Sequence, residues 1–160
     1  AAYTGSEKFA PGKRFGFFPS FSVGWRISEE PFMKKIQEAW LTNLKVRYSY
    51  GEVGSDKGAP RFNYIQLFES GDNVTFGKNQ NVSYGPLYTE GSLAYHDATW
   101  ETAVKQNLGI EMTLFRKLTA SIDLFKEDRT GILMSRNSSA PWMGAGLPSV
   151  NIGKTKNHGL

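Results

Sequence analysis

A few short patterns in this sequence have the residue types that chemistry would need. Gly153-Lys154-Thr155 has the ending of a phosphate-binding loop, in which backbone N–H groups and a lysine cradle a nucleotide's phosphates. The glycine required five residues earlier is Pro148, and the flanks lack the strand and helix of that motif, so nucleotide binding is set aside. His96 and His158 are far apart, and only Asp97 stands beside either; a metal centre needs three or four converging ligands. Glu29-Glu30 and Glu127-Asp128 are adjacent pairs whose side chains diverge, whereas acid–base catalysis on one bond needs convergence. Three sequons begin at Asn73, Asn81 and Asn137, and we read them as chance. With no cysteine in 160 residues, disulfides, cysteine-ligated zinc and cysteine nucleophiles are excluded. The chain therefore reads as a non-enzyme, with no catalytic residue, metal or cofactor expected.

What remains is recognition chemistry. Tyr64, Phe68, Phe76, Tyr84, Tyr88, Tyr95 and Trp142, with the amides around Asn79 to Asn81, lie in stretches rich in Gly, Ser, Asn and Pro. Flat apolar rings beside amide donors and acceptors suit sugar rings or extended peptides. Trp142, at a Pro and Gly-rich tip, is the foremost candidate for substrate contact, followed by Tyr84, Tyr88 and Tyr95.

The elements that would hold these loops alternate with a period of two. Odd positions from Phe15 to Ile27 read Phe, Phe, Pro, Phe, Val, Trp, Ile, against even positions that read Gly, Phe, Ser, Ser, Gly, Arg, the pattern of a strand with one apolar face. Pro19 lacks a ladder donor and marks a bulge or a weak stretch of pairing. Leu44, Val46, Tyr48 and Tyr50 form a second stripe, and Trp100 to Leu114 a third. Leu118, Ala120, Ile122 and Leu124 form a fourth, joined to the third by a tight turn at Arg116-Lys117. Ser28 to Pro31 resembles a helix start, with a turn or two of helix over Phe32 to Trp40. Two long loops follow, over Gly51 to Thr99 and about Gly131 to Thr155; loops of that length need a function to justify them.

Such stripes fit either a soluble carbohydrate-binding β-sandwich or a membrane β-barrel. No stretch is long and apolar enough for a membrane helix. The net charge of +4, from 19 basic and 15 acidic residues, is modest and dispersed, so nucleic acid is not an expected partner. Strands longer than about 9 to 11 residues, aromatics near the stripe ends, and short turns opposite long loops favour the barrel. Arg47, Lys105 and Glu111 would then face the lumen. Phe17, Phe21, Val23, Val46, Tyr48, Val104, Leu108, Ile110, Ile122 and Leu124 would face lipid. Four strands and the start of a fifth cannot close a barrel, and open edges are not tolerated in lipid.

Four segments also carry a family resemblance. Lys13 to Ser20 running into Gly24-Trp25-Arg26-Ile27-Ser28-Glu29-Glu30-Pro31-Phe32, then Leu44 to Gly54, Thr99-Trp100-Glu101, and Asn151-x-Gly153-x-x-x-Asn157-x-Gly159 resemble the SusC/RagA family of TonB-dependent outer-membrane transporters. The resemblance implies an all-β fold of antiparallel strands, with residues 1–160 a segment of a plugged barrel of about 22 strands whose plug and remaining strands lie elsewhere. It further implies import of oligosaccharides or peptides across the bacterial outer membrane. The expected partners are the TonB complex, acting through the plug, a SusD-like surface lipoprotein, and outer-membrane lipid.

Overall fold

The computed structural model describes residues 1–33, 40–78, 82–136 and 144–160. Among the described residues nine strands, β1 (Ala2–Gly5), β2 (Phe15–Phe18), β3 (Ser20–Arg26), β4 (Leu41–Ser55), β5 (Phe68–Phe76), β6 (Val82–Glu90), β7 (Glu101–Leu114), β8 (Leu118–Met134) and β9 (Val150–Gly159), make three sheets. The large one is antiparallel in the order β3-β4-β7-β8-β9, and β1-β2 and β5-β6 are hairpins. At about 3.3 Å per residue, the 17 residues of β8 extend well past a bilayer's hydrocarbon core.

The register sorts the side chains into two faces. One carries the rows Trp25-Val46-Ile110-Ile122 and Val23-Tyr48-Leu108-Leu124, flanked by Leu44-Met112-Ala120. The other carries Arg26-Lys45-Glu111-Ser121, Gly24-Arg47-Gly109-Asp123 and Gly51-Lys105-Glu127. Among the described residues no second sheet covers this one, and its apolar face is left open, with Phe21 58% and Val23 60% exposed. Burying such side chains is worth roughly 1.5 to 3 kcal/mol each, so a dozen exposed to water would cost tens of kcal/mol. A sandwich would cover them with another sheet; here the covering medium is hydrocarbon.

Aromatics mark both margins of the apolar band. Phe21 stacks on Tyr50 and leans on Tyr48, with ring centroids 5.4 and 6.1 Å apart. At the opposite end the Trp25 indole N–H donates to Glu30 at 2.9 Å. Indole and phenol prefer interfaces that are apolar on one side and wet on the other.

Several expectations change in extent. The run from Phe15 to Ile27 is two strands split at Pro19: β3 pairs with β4, but β2 turns to pair with β1. Proline's missing N–H interrupts the ladder there. The fourth strand runs on through the charged positions Glu127, Asp128 and Arg129 to Met134, because cross-strand ion pairs replace apolar packing. The stretch from Gly51 to Thr99 is not all loop, since β4 continues to Ser55 and β5-β6 form a hairpin within it. Gly, Asp and Asn in β5 and Pro86 in β6 hid the hairpin. Ser28 to Pro31 starts no α-helix among the described residues. It forms the 3-10 turns Ile27–Glu29 and Pro31–Met33, and residues 34–39 of the expected helix lie outside the described set.

The tight β7-β8 turn spans Phe115 to Lys117, with Phe115 and Arg116 at φ 52° and 59°. Side chains rarely adopt that left-handed region. The turn is held from outside: the Phe115 N–H donates to the Trp40 carbonyl at 2.8 Å and the Arg116 N–H to the Thr42 hydroxyl at 3.2 Å.

Candidate functional site

On the polar face, charge is concentrated in two belts. In the lower belt Glu111 forms ion pairs with Lys45 at 3.7 Å and Arg47 at 3.4 Å, while Arg47 also donates to Asp123 at 2.7 Å. Arg47 and Asp123 sit on strands separated by β7, and Gly109 is the residue between them in register. A Cβ on Gly109 would lie 2.2 Å from Arg47 Nε and 2.8 Å from Asp123 Oδ1. The glycine is the notch through which the guanidinium crosses the strand. In the upper belt Glu127 pairs with Lys105 at 3.7 Å and with Arg129 at 2.9 Å, and Arg129 reaches Glu101 at 2.7 Å.

Between the belts the row Ser22-Ser49-Asn107-Phe125 is uncharged. With Ser20, Gly51 and Lys105 it lines a shallow depression of about 610 Å³. The belts are internally neutralised, each carboxylate held by a cation, so this surface can face water and hydrogen-bond a polar solute without a net field. It offers no acid–base pair converging on an open point. Glu127 points to this face and Asp128 to the other, as their adjacency in a strand requires.

The loop end of the sheet is fixed by a second constellation. Phe9 is fully buried with Ala59 and Ala98, and Tyr95, Trp100 and Leu133 pack around them. Phe18 meets Trp100 edge-on at 5.5 Å, and Phe9 meets it at 5.2 Å. The Phe18 ring fills the space that a Cβ on Gly54 or Gly16 would occupy, 1.9 and 2.5 Å away. Beside it the Asn151 side-chain amide donates to the Thr99 and Gly131 carbonyls at 3.0 and 2.7 Å, and its oxygen accepts from the Thr99 N–H at 3.1 Å. Gly131, at φ +71°, lies at the register shift between β8 and β9.

The segment between β1 and β2 is strapped onto these loops. The Ser6 hydroxyl donates to Asp56 at 2.7 Å, Lys8 pairs with Asp56 at 3.6 Å, Lys13 with Asp97 at 2.5 Å, and Arg61 with Glu7. The Ser6 hydrogen bond, with help from Lys8, lowers the Asp56 carboxyl below the ordinary range, and Lys13 does the same for Asp97.

Of the residues singled out in the sequence, Arg47 and Glu111 are brought into contact, and Lys105 lies on the same face in the other belt. Tyr84 and Tyr88 are exposed on β6, Tyr84 edge-on to Phe76 at 5.6 Å. Tyr95 is elsewhere, half-buried against the Phe9 cluster, so these three tyrosines do not share one pocket. Trp142 and Asn79 to Asn81 lie outside the described residues. Gly153-Lys154-Thr155 is mid-strand in β9, with no helix to complete a phosphate loop. Among the described residues no group of three His, Asp or Glu side chains could hold a metal. The Gly109 notch and the Asn151 clamp escaped sequence reading. A lone glycine on a strand's polar stripe was the available signal for the first, since it marks a close approach.

Known proteins match this geometry. The family model described as TonB dependent receptor-like, beta-barrel, covers residues 2–160. TonB-dependent receptor P39 of Formosa agariphila is 32% identical over 97% of the chain, and TonB-dependent receptor SusC of Bacteroides thetaiotaomicron is 26% identical over 99%. The chain spans only 14% and 16% of those two relatives. A RagAB peptide importer structure in a closed-closed state superposes with a TM-score of 0.74 at 21% identity, over 96% of this chain and 16% of that one. An open sheet with one greasy face, a self-paired polar face and strands too long for a bilayer's core is what one arc of such a wall looks like, and this chain belongs to the TonB-dependent receptor β-barrel family of the bacterial outer membrane.

Proposed function

We propose that this chain forms an arc of the wall and extracellular loops of an active importer of oligosaccharides or peptides, energised by TonB and capped by a SusD-like lipoprotein. Residues 1–160 are on this reading a segment of the barrel, with the plug in another part of the protein. The observation that carries the proposal is the division of one unlayered sheet into an open apolar face and a polar face of mutually neutralised ion pairs. Arg47, Lys105 and Glu111 line the lumen, where balanced charge lets an uncharged or zwitterionic solute slide without being trapped. Tyr84 and Tyr88, exposed on β6, supply cargo contacts, and Trp142 is proposed from the sequence to join them. Support for peptides comes from the structural likeness to the RagAB peptide importer; aromatic loops with amides suit either cargo.

The test is uptake by cells carrying the full-length protein. Peptides or oligosaccharides should enter in the wild type and fail to enter when the inner-membrane TonB is deleted. Tyr84→Ala with Tyr88→Ala should reduce uptake at unchanged protein level. TonB-independent uptake would overturn the energised-import reading. Unchanged uptake by the tyrosine pair would remove both residues from the cargo path.

A further inference from the structure

Above the apolar band, one flank of the outward face turns basic. The outward positions of β9 are Lys154, Lys156 and His158, paired in register with Thr130, Asp128 and Lys126 of β8. All four basic side chains are exposed. Asp128 pairs with Lys126 at 2.9 Å. Among the described residues, Lys154 and Lys156 have no carboxylate partner. The next outward carboxylate, Glu52, is three strands away on β4 and accepts from the Tyr50 hydroxyl.

The height of this flank follows from the register. The unbroken apolar run of the outward face ends between Tyr50 and Glu52 on β4, Leu108 and Gln106 on β7, and Leu124 and Lys126 on β8, with Val104 a single apolar position beyond it on β7. On β7 and β8 that line runs between the same two register rows, and on β4 it lies one row further along. Continued to β9 it falls between Leu160 and His158. Lys156 and Lys154 then stand about 7 and 13 Å further along the strand, where headgroups rather than acyl chains would be their neighbours. Lysine stems can lie on the apolar margin while their ammonium groups reach upward.

We propose that Lys126, Lys154, Lys156 and His158 form a binding site for the phosphate of a lipid headgroup in the outer leaflet. Uncompensated ammonium groups at headgroup level attract anionic lipid, and the register beyond the end of the apolar run puts them there. The site rests on the outward assignment of this face, which the Ile110→Arg experiment in the Discussion tests separately.

The experiment uses the full-length protein in a neutral detergent, titrated with phosphatidic acid or phosphatidylcholine and read by native mass spectrometry. Wild type should retain phosphatidic acid in preference to phosphatidylcholine. Lys154→Gln with Lys156→Gln should weaken retention by roughly fivefold per lysine, about 30-fold together. Lys154→Arg with Lys156→Arg should retain it, and Thr155→Lys, on the opposite face, should change nothing. Undiminished retention by the glutamine pair overturns the site. Competition by inorganic phosphate as effective as by the lipid would mean a free-anion site and overturn the lipid assignment. If Ile110→Arg assembles normally, the facing itself fails, whatever the lysines bind.

Discussion

Ile110→Arg measures the facing of the sheet most directly. Ile110 lies in register between Val46 and Ile122 on the apolar face, four residues from Leu114 at the short-turn margin. Four residues span about 13 Å of strand, and a tilt of about 40° reduces that to about 10 Å of height. An apolar band about 25 Å tall has its midplane near 12 Å, so Ile110 sits almost at the centre of the hydrocarbon. Arginine there should cost about 2 to 4 kcal/mol, a shift of about 30- to 1,000-fold in the unfolding equilibrium. Leu114→Arg, at the margin, should cost about 1 kcal/mol or less, and Asn107→Arg, on the polar face, about 0.5 kcal/mol or less. Reversible urea unfolding of the full-length barrel in lipid vesicles gives all three values, and heat-modifiable mobility of outer-membrane fractions gives assembly in cells. Equal costs for Ile110 and Leu114, or a larger cost at Asn107, would refute the depth and the facing together.

Three further predictions concern the loop end. Gly54→Ala puts a methyl group 1.9 Å from the Phe18 ring, which must leave its seat; overpacking of this kind costs about 1 to 3 kcal/mol, and limited proteolysis should show β1-β2 cut faster than in wild type. Asn151→Asp removes both amide donations, to the Thr99 and Gly131 carbonyls, and turns a carboxylate toward two carbonyl oxygens; a loss of about 2 to 3 kcal/mol is expected, visible as faster hydrogen exchange at the β8-β9 register shift. Acidification should loosen the strap over Ser6 to Lys13. Because Asp56 and Asp97 have lowered pKa values in the folded chain, their stabilisation is full above the ordinary carboxyl value of about 3.9 and is lost as pH falls through the lower folded value. Exchange measured between neutral pH and about pH 3 should show the loss, and Asp56→Asn should weaken the strap at neutral pH and flatten the dependence.

The two faces were readable because a strand's period of two is written directly into β4, β7 and the first half of β8. Leu44 to Tyr50 and Leu108 to Leu114 alternate without a break. Reading failed where long-range partners stand in for apolar packing. Glu127 to Arg129 look like the end of a strand, yet Lys105 and Glu101 on the neighbouring strand hold them in the ladder. β1 is only four residues, too short to display a period, and it pairs with β2 where β2 leaves the large sheet at Pro19. The cargo candidates were chosen by residue type alone, which cannot say whether a ring faces solvent or fills a core. Tyr84 and Tyr95 have the same chemistry, but one is exposed on a hairpin and the other packs beside Phe9.

The family-like segments converge on one place, and that bears on what such segments report. Gly16 and Phe18 from the first, Gly54 from the second, Trp100 from the third, and Asn151 from the last meet at the loop end of the sheet. Each has a packing reason for its identity: two glycines make room for a ring, the tryptophan closes over it, and the asparagine satisfies three backbone groups where the register slips. Gly153 joins them, since a Cβ there would come within 2.8 Å of Ile132 and Met134. These residues build the rim from which the loops spring: the Asn151 amide is engaged by backbone groups, and the one unpartnered polar atom among them, the Trp100 indole N–H, is buried. A resemblance carried by them therefore identifies the scaffold while saying nothing about cargo. On the import reading proposed above, cargo contacts fall to the loop residues between these segments, such as Tyr84 and Tyr88 on β6.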